Sequence, residues 1–232
     1  MSGALEGWFA LVTGATGHIG RAIGLALHAA GARVLLQGRT PARCARLAEE
    51  TGLEVLAADL TRETDVAALQ ARIAREGRLE VLVLGAGIYE RSEDPEALRR
   101  QLEANVIGPY ALLRGLLPLL VAARGEVVFL NSTQGLNASP EVGQYAATHH
   151  AMRAIADSLR GEVNAKGVRV LSLHLGRTAS ERQQAIFAME GRDYPREHLM
   201  QPKDVAHAVL AMLTLPRTAE ATELRLRPMR KV

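Results

Sequence analysis

The run Thr13-Gly14-Ala15-Thr16-Gly17-His18-Ile19-Gly20 joins a short apolar segment to a helical one and is suited to receive a phosphate. Its glycines let the main chain approach a pyrophosphate, and the helix that follows presents free N–H groups and a positive dipole end. A glycine-rich turn alone says little, because any tight strand-to-helix turn favours glycine. Its place in the first strand–turn–helix unit makes a dinucleotide the expected ligand, with Gly14, Thr16, Gly17, His18, Ile19 and Gly20 as contacts. The second strand ends in Gln37-Gly38-Arg39. An acidic residue here would hold a ribose 2′-hydroxyl, whereas a nearby arginine accommodates a 2′-phosphate. Gly38 followed by Arg39 therefore favours NADP(H), although Arg39 has a plainer reading as a solvated loop residue. Asp59-Leu60 and Gly85-Ala86-Gly87 close the third and fourth strands, whose ends face the ligand crevice in such a sheet. Asp59 either accepts from an adenine amino group or caps the next helix.

A second set of residues lies farther along. Ser132 follows the fifth apolar segment, Tyr145 comes 13 residues later, and His149 is four residues beyond Tyr145. Residues four apart share a helix face, so the tyrosine and the histidine are neighbours. Each has an ordinary explanation, a packed helical tyrosine or a serine capping a turn. Taken with Asn105 and the glycine-rich turn, however, the set resembles the short-chain dehydrogenase/reductase family over essentially the whole chain. That family combines such a turn with an Asn, a Ser and a Tyr-x-x-x-Lys motif. Gly176 to Ser180 resembles its Pro-Gly-x-x-x-Thr segment, with Leu175 in place of Pro and Ser180 in place of Thr.

The resemblance implies an oxidoreductase in which the nicotinamide carries hydride and the protein manages one proton. Tyr145 would exchange that proton with a carbonyl or alcohol oxygen, Ser132 would hold the same oxygen, and Asn105 would position a water in a proton relay. Gly176, Thr178 and Ser180 would lie along the cofactor. It also implies a small-molecule carbonyl or alcohol substrate and a homodimer or homotetramer. Three departures stand out. His149 occupies the lysine position, His18 stands where many members have a glycine, and Leu84-Gly85-Ala86-Gly87 replaces Asn-Asn-Ala-Gly. A lysine ammonium about 5 Å from a tyrosine, at an effective dielectric near 20, contributes about 3 kcal/mol, or roughly two pKa units. A histidine, mostly neutral above pH 7, does not supply that field unless its own pKa is raised. It retains the capacity to hydrogen-bond ribose hydroxyls.

These residues need a scaffold, and the hydrophobic pattern provides one. Short, continuous apolar runs at Trp8–Thr13, Arg33–Gln37, Glu54–Ala58, Leu79–Leu84, Glu126–Asn131, Val168–His174 and Glu223–Arg227 read as strands covered on both faces. Helical patterns near His18–Ala30, Pro41–Glu50, Glu63–Glu76, Pro95–Ala123, Gln144–Ala165 and Pro202–Leu213 alternate with them. Pro41, Pro95 and Pro202 open helices, and Gly31, Gly52, Gly77, Gly125 and Gly167 are placed to cap them in the left-handed conformation. The alternation predicts an α/β fold, a Rossmann-like, doubly wound, parallel seven-stranded sheet with helices on both faces, as one domain over residues 1–232. The polar segment Arg177–Gln201 follows the sixth strand and reads as a substrate lid or a decorated surface helix. An apolar stripe of Leu98, Leu102, Val106, Tyr110, Leu113 and Leu117 suits an oligomer contact or the sheet-facing side of a helix.

Composition narrows the remaining classes. The 232 residues are 48% hydrophobic and 23% charged, ordinary for a globular chain. The net charge of +3 is spread over single basic residues, and only 3% of residues are aromatic, so no basic stripe with stacking rings points to nucleic acid. Cys44 is the one cysteine. The opening segment Met1–Gly7 carries no basic region before an apolar run, and no apolar stretch is expected to reach membrane-spanning length, Leu112–Ala123 being interrupted by Arg114 and Pro118. A cytoplasmic protein is expected. His149-His150 diverge on a helix and have no partner cluster, so no metal is expected, and His28, His174, His198 and His207 read as isolated. Two functions remain in competition: an active NADP(H)-dependent oxidoreductase, and a non-catalytic cofactor sensor or scaffold of the same fold. An epimerase or dehydratase is a poor third, for want of the usual added C-terminal region.

Overall fold

The structure, a computed structural model, describes residues 3–230; Met1 and Ser2 of the opening segment lie outside the described residues. Seven strands form one parallel sheet: β1 (Phe9–Val12), β2 (Arg33–Gly38), β3 (Glu54–Ala57), β4 (Val81–Leu84), β5 (Glu126–Ser132), β6 (Arg169–Leu175) and β7 (Glu223–Leu226). Their order is β3-β2-β1-β4-β5-β6-β7. The chain reverses direction across the sheet between β1 and β4, and that switch opens a crevice at the carboxyl ends of the strands.

The helices are α1 (His18–Ala29), α2 (Pro41–Thr51), α3 (Glu63–Ala74), α4 (Pro95–Leu102), α5 (Gly108–Ala123), α6 (Gly143–Val163), α7 (Glu181–Met189) and α8 (Pro202–Leu213). One face of the sheet packs on α1 and α8 through Ile23, Leu27, Val205 and Val209. The other packs on α3, α5 and α6 through Leu69, Ile73, Leu112, Leu116 and Leu159. The central strands are apolar throughout because both faces are covered. The edges depart from that expectation: β3 and β7 alternate or are only half-buried.

Five other expectations are corrected or refined. The helix over 95–123 is interrupted by a π-helical turn at Glu103–Ile107, which widens the backbone around Asn105. Within Pro95–Ala123 an 18-residue window has mean hydropathy 1.7, so the stretch is apolar and long enough by composition to cross a membrane. It nevertheless packs on the sheet through Leu112, Leu113, Leu116, Leu117 and Leu120. Gly31, Gly52, Gly77 and Gly167 adopt positive φ as expected, but at the end of α5 the left-handed residue is Arg124 (φ 48°), one position before Gly125. Finally, Arg62 and not Asp59 occupies the N-cap of α3. The stripe from Leu98 to Leu117 also divides: Leu113 and Leu117 enter the core, whereas Tyr110 and the neighbouring Ile107 are exposed.

Candidate active site

A cleft of about 720 Å³ opens at the carboxyl ends of the strands. Its walls include every cofactor-site residue singled out from the sequence: Gly14, Thr16, Gly17, His18, Ile19, Gly20, Arg39, Asp59, Leu60, Gly85, Ala86, Gly87, Gly176, Thr178 and Ser180. Asn105, Ser132, Tyr145 and His149 line the same cleft.

Sterics shape one half of this cleft. Gly14 has φ +68°, and a Cβ there would lie 2.5 Å from the Gly85 carbonyl oxygen, so the two strand ends approach only because no side chain intervenes. Two buried side chains, not recognised from the sequence, hold that turn. Gln37 accepts from the Gly14 N–H (3.0 Å) and donates to Ala58 O (2.6 Å). The Thr13 hydroxyl accepts from the N–H groups of Gly85 (3.0 Å) and Ala86 (3.2 Å). A lone polar residue closing a continuous apolar run was the available signal for both. Gly38 is packed against Thr16 and Cys44, so a side chain at this position would clash with them. Arg39 is exposed at the mouth, which Arg43, a residue the sequence pattern does not single out, also lines while donating to Thr16 O (3.3 Å) and pairing with Glu181 (3.7 Å). Asp59 binds the N–H and hydroxyl of Thr61 at 3.0 and 2.8 Å, shaping its loop.

Side-chain bonding organises the other half. Ser132 ends β5 and is gripped on three sides: its N–H donates to Asn131 Oδ1 (2.7 Å), its Oγ accepts from the Gln134 N–H (3.1 Å), and its carbonyl accepts from His174 Nδ1 (3.3 Å). Tyr145 stands on the first turn of α6 with its ring edge-on to Tyr89 (centroids 5.1 Å) and to His149 (4.3 Å). Burial pushes the Tyr145 phenol above its ordinary range, while Arg182 and the Ser132 hydroxyl pull less strongly the other way. His149 is lowered to about 4, chiefly by burial and secondarily by the positive neighbour Arg182 and by His174 and His150. Its Nδ1 lies 2.7 Å from Asn131 Oδ1. The Asn105 amide is fully committed, accepting from Ile88 N (2.7 Å) and donating to Ile88 O (3.0 Å) and Thr148 Oγ1 (3.2 Å).

The segment 177–201 contains α7 and lies over this half. The Ser180 hydroxyl caps α7 by accepting from Gln183 N (3.1 Å), and Phe187 is buried with Ala179, Leu199 and Tyr194. From α7, Arg182 reaches across the cleft and donates to the Gly87 carbonyl (2.6 Å). Arg177 is paired instead with Glu190 (2.7 Å). His149 Nδ1 faces Asn131 and His150 Nδ1 faces the Ala146 carbonyl (2.9 Å), and among the described residues no group of three or more His, Cys, Asp or Glu side chains is gathered that could hold a metal ion.

Comparison with known proteins gives a consistent result. A family model described as short chain dehydrogenase matches residues 9–191. An uncharacterised short-chain type dehydrogenase/reductase of Sinorhizobium fredii is 30% identical over 228 residues, covering 94% of this chain and 90% of that one. The zebrafish (Danio rerio) dehydrogenase/reductase SDR family member 7B is 33% identical over 183 residues, 72% of this chain but 59% of the zebrafish protein. Among solved structures, a 3-ketoacyl-(acyl-carrier-protein) reductase from Brucella melitensis complexed with NADH superposes with TM-score 0.84 at 27% identity, covering 96% of this chain and 97% of its own.

Proposed function

The chain belongs to the short-chain dehydrogenase/reductase family, and from that premise we propose that it is an NADP(H)-dependent oxidoreductase interconverting a carbonyl and an alcohol in a small-molecule substrate. The observation that carries this reading is the meeting of Ser132 and Tyr145 with the Gly14–Gly20 turn in one cleft. The cleft fits a dinucleotide: the Gly14–Gly85 approach leaves bare main chain for a pyrophosphate, and α1 begins directly behind it. When bound, the nicotinamide supplies or takes the hydride.

The chain's own groups do the rest. Tyr145 Oη gives the proton to the substrate oxygen in reduction and recovers it in oxidation, and Ser132 Oγ steadies that oxygen, a general acid–base contribution of about 10²- to 10⁴-fold. Asn105 positions a water in a proton relay, its amide bonds to Ile88 and Thr148 fixing it in the cleft wall. At the adenosine end, Gly38 leaves no room for an acidic side chain, and Arg39 and Arg43 offer two guanidiniums to a 2′-phosphate. The Brucella reductase was solved with NADH, so the proposed preference for NADP(H) rests on Gly38, Arg39 and Arg43. His149 stands in for the family's lysine as a neutral group, which slows turnover. Segment 177–201 serves as the substrate lid of a single cytosolic domain, and the exposed Ile107 and Tyr110 contribute to a homodimer or homotetramer.

NADPH oxidation over a broad panel of carbonyl compounds tests the reading. Slow turnover is expected from the native protein, a loss of at least 100-fold in Tyr145→Phe and a gain in His149→Lys. One observation favours a second reading, a cofactor sensor or scaffold without catalysis: the histidine beside Tyr145 is held neutral while the phenol is held protonated. NADPH binding with no turnover in either the native protein or His149→Lys selects it.

A further inference from the structure

We propose that Asn131 is a positioning residue that locks His149 as a neutral imidazole protonated on Nδ1, leaving the Nε2 lone pair open to the cleft, so that position 149 offers an acceptor where a lysine would offer only donors. The geometry stands by itself; its catalytic consequence rests on the oxidoreductase reading.

Asn131 is buried at the penultimate position of β5, and its amide orientation is fixed from both ends. Its Oδ1 accepts from the Ser132 N–H at 2.7 Å, and its Nδ2 donates to the His149 carbonyl at 3.1 Å. Rotating the amide by half a turn would set an NH₂ against an N–H and a C=O against a C=O. The atom 2.7 Å from His149 Nδ1 is therefore an oxygen, which only accepts, and Nδ1 must carry the hydrogen. The packing leaves little freedom, since a Cβ on Gly135 would come within 2.8 Å of Asn131 Oδ1 and 2.9 Å of His149 O.

Burial and the charge of Arg182 oppose a second proton on this ring. Facing His149 are Arg182 from α7, His174 from β6, and His150 and Tyr145 on its own helix. Among the described residues no carboxylate lies within ion-pair distance of it; Glu223 lies beside His174 (3.5 Å). Nε2 has no hydrogen-bond partner among the described residues and is not sealed in, and the ring lines the cleft. A hydroxyl meeting Nε2 must then donate to it. A network ending on such an acceptor favours the protonated form of Tyr145, so the phenolate that alcohol oxidation needs as its base is scarce near neutral pH.

The test is ¹⁵N NMR of the imidazoles in the full chain from pH 5 to 8, with and without NADPH, combined with the pH profile of NADP⁺-linked alcohol oxidation. The native protein should show His149 with protonated Nδ1 and bare Nε2 at pH 7. In Asn131→Asp, a carboxylate in place of the amide should raise the His149 titration by about two units or more. The alkaline limb of oxidation should then move to lower pH. In Asn131→Ala the preference for Nδ1–H should be lost. An Nε2–H tautomer or an imidazolium in the native protein at pH 7, or an Asn131→Ala spectrum identical to native, overturns the proposal. The native spectrum decides even if neither variant folds. If the spectrum is as expected but no variant turns over, the inference stands and the oxidoreductase reading fails.

Discussion

The two ends of β5 each hold a buried polar knot, and the knots have opposite electrical character. At the first residue Glu126 is bonded to Arg169 of β6, and the guanidinium also donates to the carbonyls of Leu213, Leu215, Pro216 and Ala219. At the other end Asn131 holds His149 with one amide oxygen and no carboxylate. Both basic side chains are largely shielded from water. Arginine cannot shed its proton, so the fold surrounds it with acceptors; histidine can, and the fold supplies one acceptor and lets it go neutral. Burial alone does not decide charge. The intrinsic pKa of the group and the partners beside it decide how far it yields: the guanidinium stays charged among a carboxylate and four carbonyls, while burial turns the imidazole neutral.

The comparison can be broken most forcefully at the charged end. Glu126→Ala leaves a buried guanidinium without its carboxylate and should cost about 3–5 kcal/mol of stability by urea unfolding; a change below about 1 kcal/mol would show that the carbonyls alone suffice. At the neutral end the effect should appear in the pH dependence of stability. The folded pKa of His149, about 4, lies below the unfolded value of 6.5. The neutral imidazole's contribution is therefore complete above pH 6.5 and is lost as pH falls towards 4, roughly 3 kcal/mol in all. Native and His149→Gln proteins unfolded in urea at pH 7.5 and 4.5 should differ in slope, the variant losing less on acidification.

Placing a cation at the neutral end sharpens the contrast. In His149→Lys the alkaline limb of alcohol oxidation should move down by about two pH units at most, and turnover at pH 7 to 8 should rise. An unmoved limb would mean that Arg182 already supplies the field. The smallest effect is expected at the adenosine end, where the guanidiniums are exposed. Arg39→Ala should weaken NADPH by about tenfold, ~1.4 kcal/mol, and leave NADH unchanged by calorimetry.

What the sequence disclosed follows the same division. The sheet and the phosphate turn depend on backbone sterics and on which residues are apolar, and these are local properties. Gly14 and Gly20, the continuous runs of β1, β4, β5 and β6, and the prolines opening α2, α4 and α8 therefore announce themselves. Gln37 and Thr13 were missed because a polar residue in a buried strand reveals its purpose only when the turn it braces is in place. Asn131 was missed for the same reason: nothing in Phe129-Leu130-Asn131-Ser132 indicates that the amide faces a histidine 18 residues on. The π-helical turn at Glu103–Ile107 leaves no mark in hydrophobic periodicity, so Pro95–Ala123 read as one helix. At Gly125 the rule that favours glycine as the left-handed residue lost to packing, since a Cβ there would lie 2.7 Å from Leu79 O and Arg124 takes the strained conformation instead.

The most direct single test is a calorimetric titration of NADPH and NADH into the full chain at pH 7.5. One saturable site per chain, tighter for NADPH than for NADH, is the expected result. No binding of either nucleotide would contradict the assignment of the Gly14–Gly20 cleft, and with it the chemistry assigned to Tyr145 and Ser132.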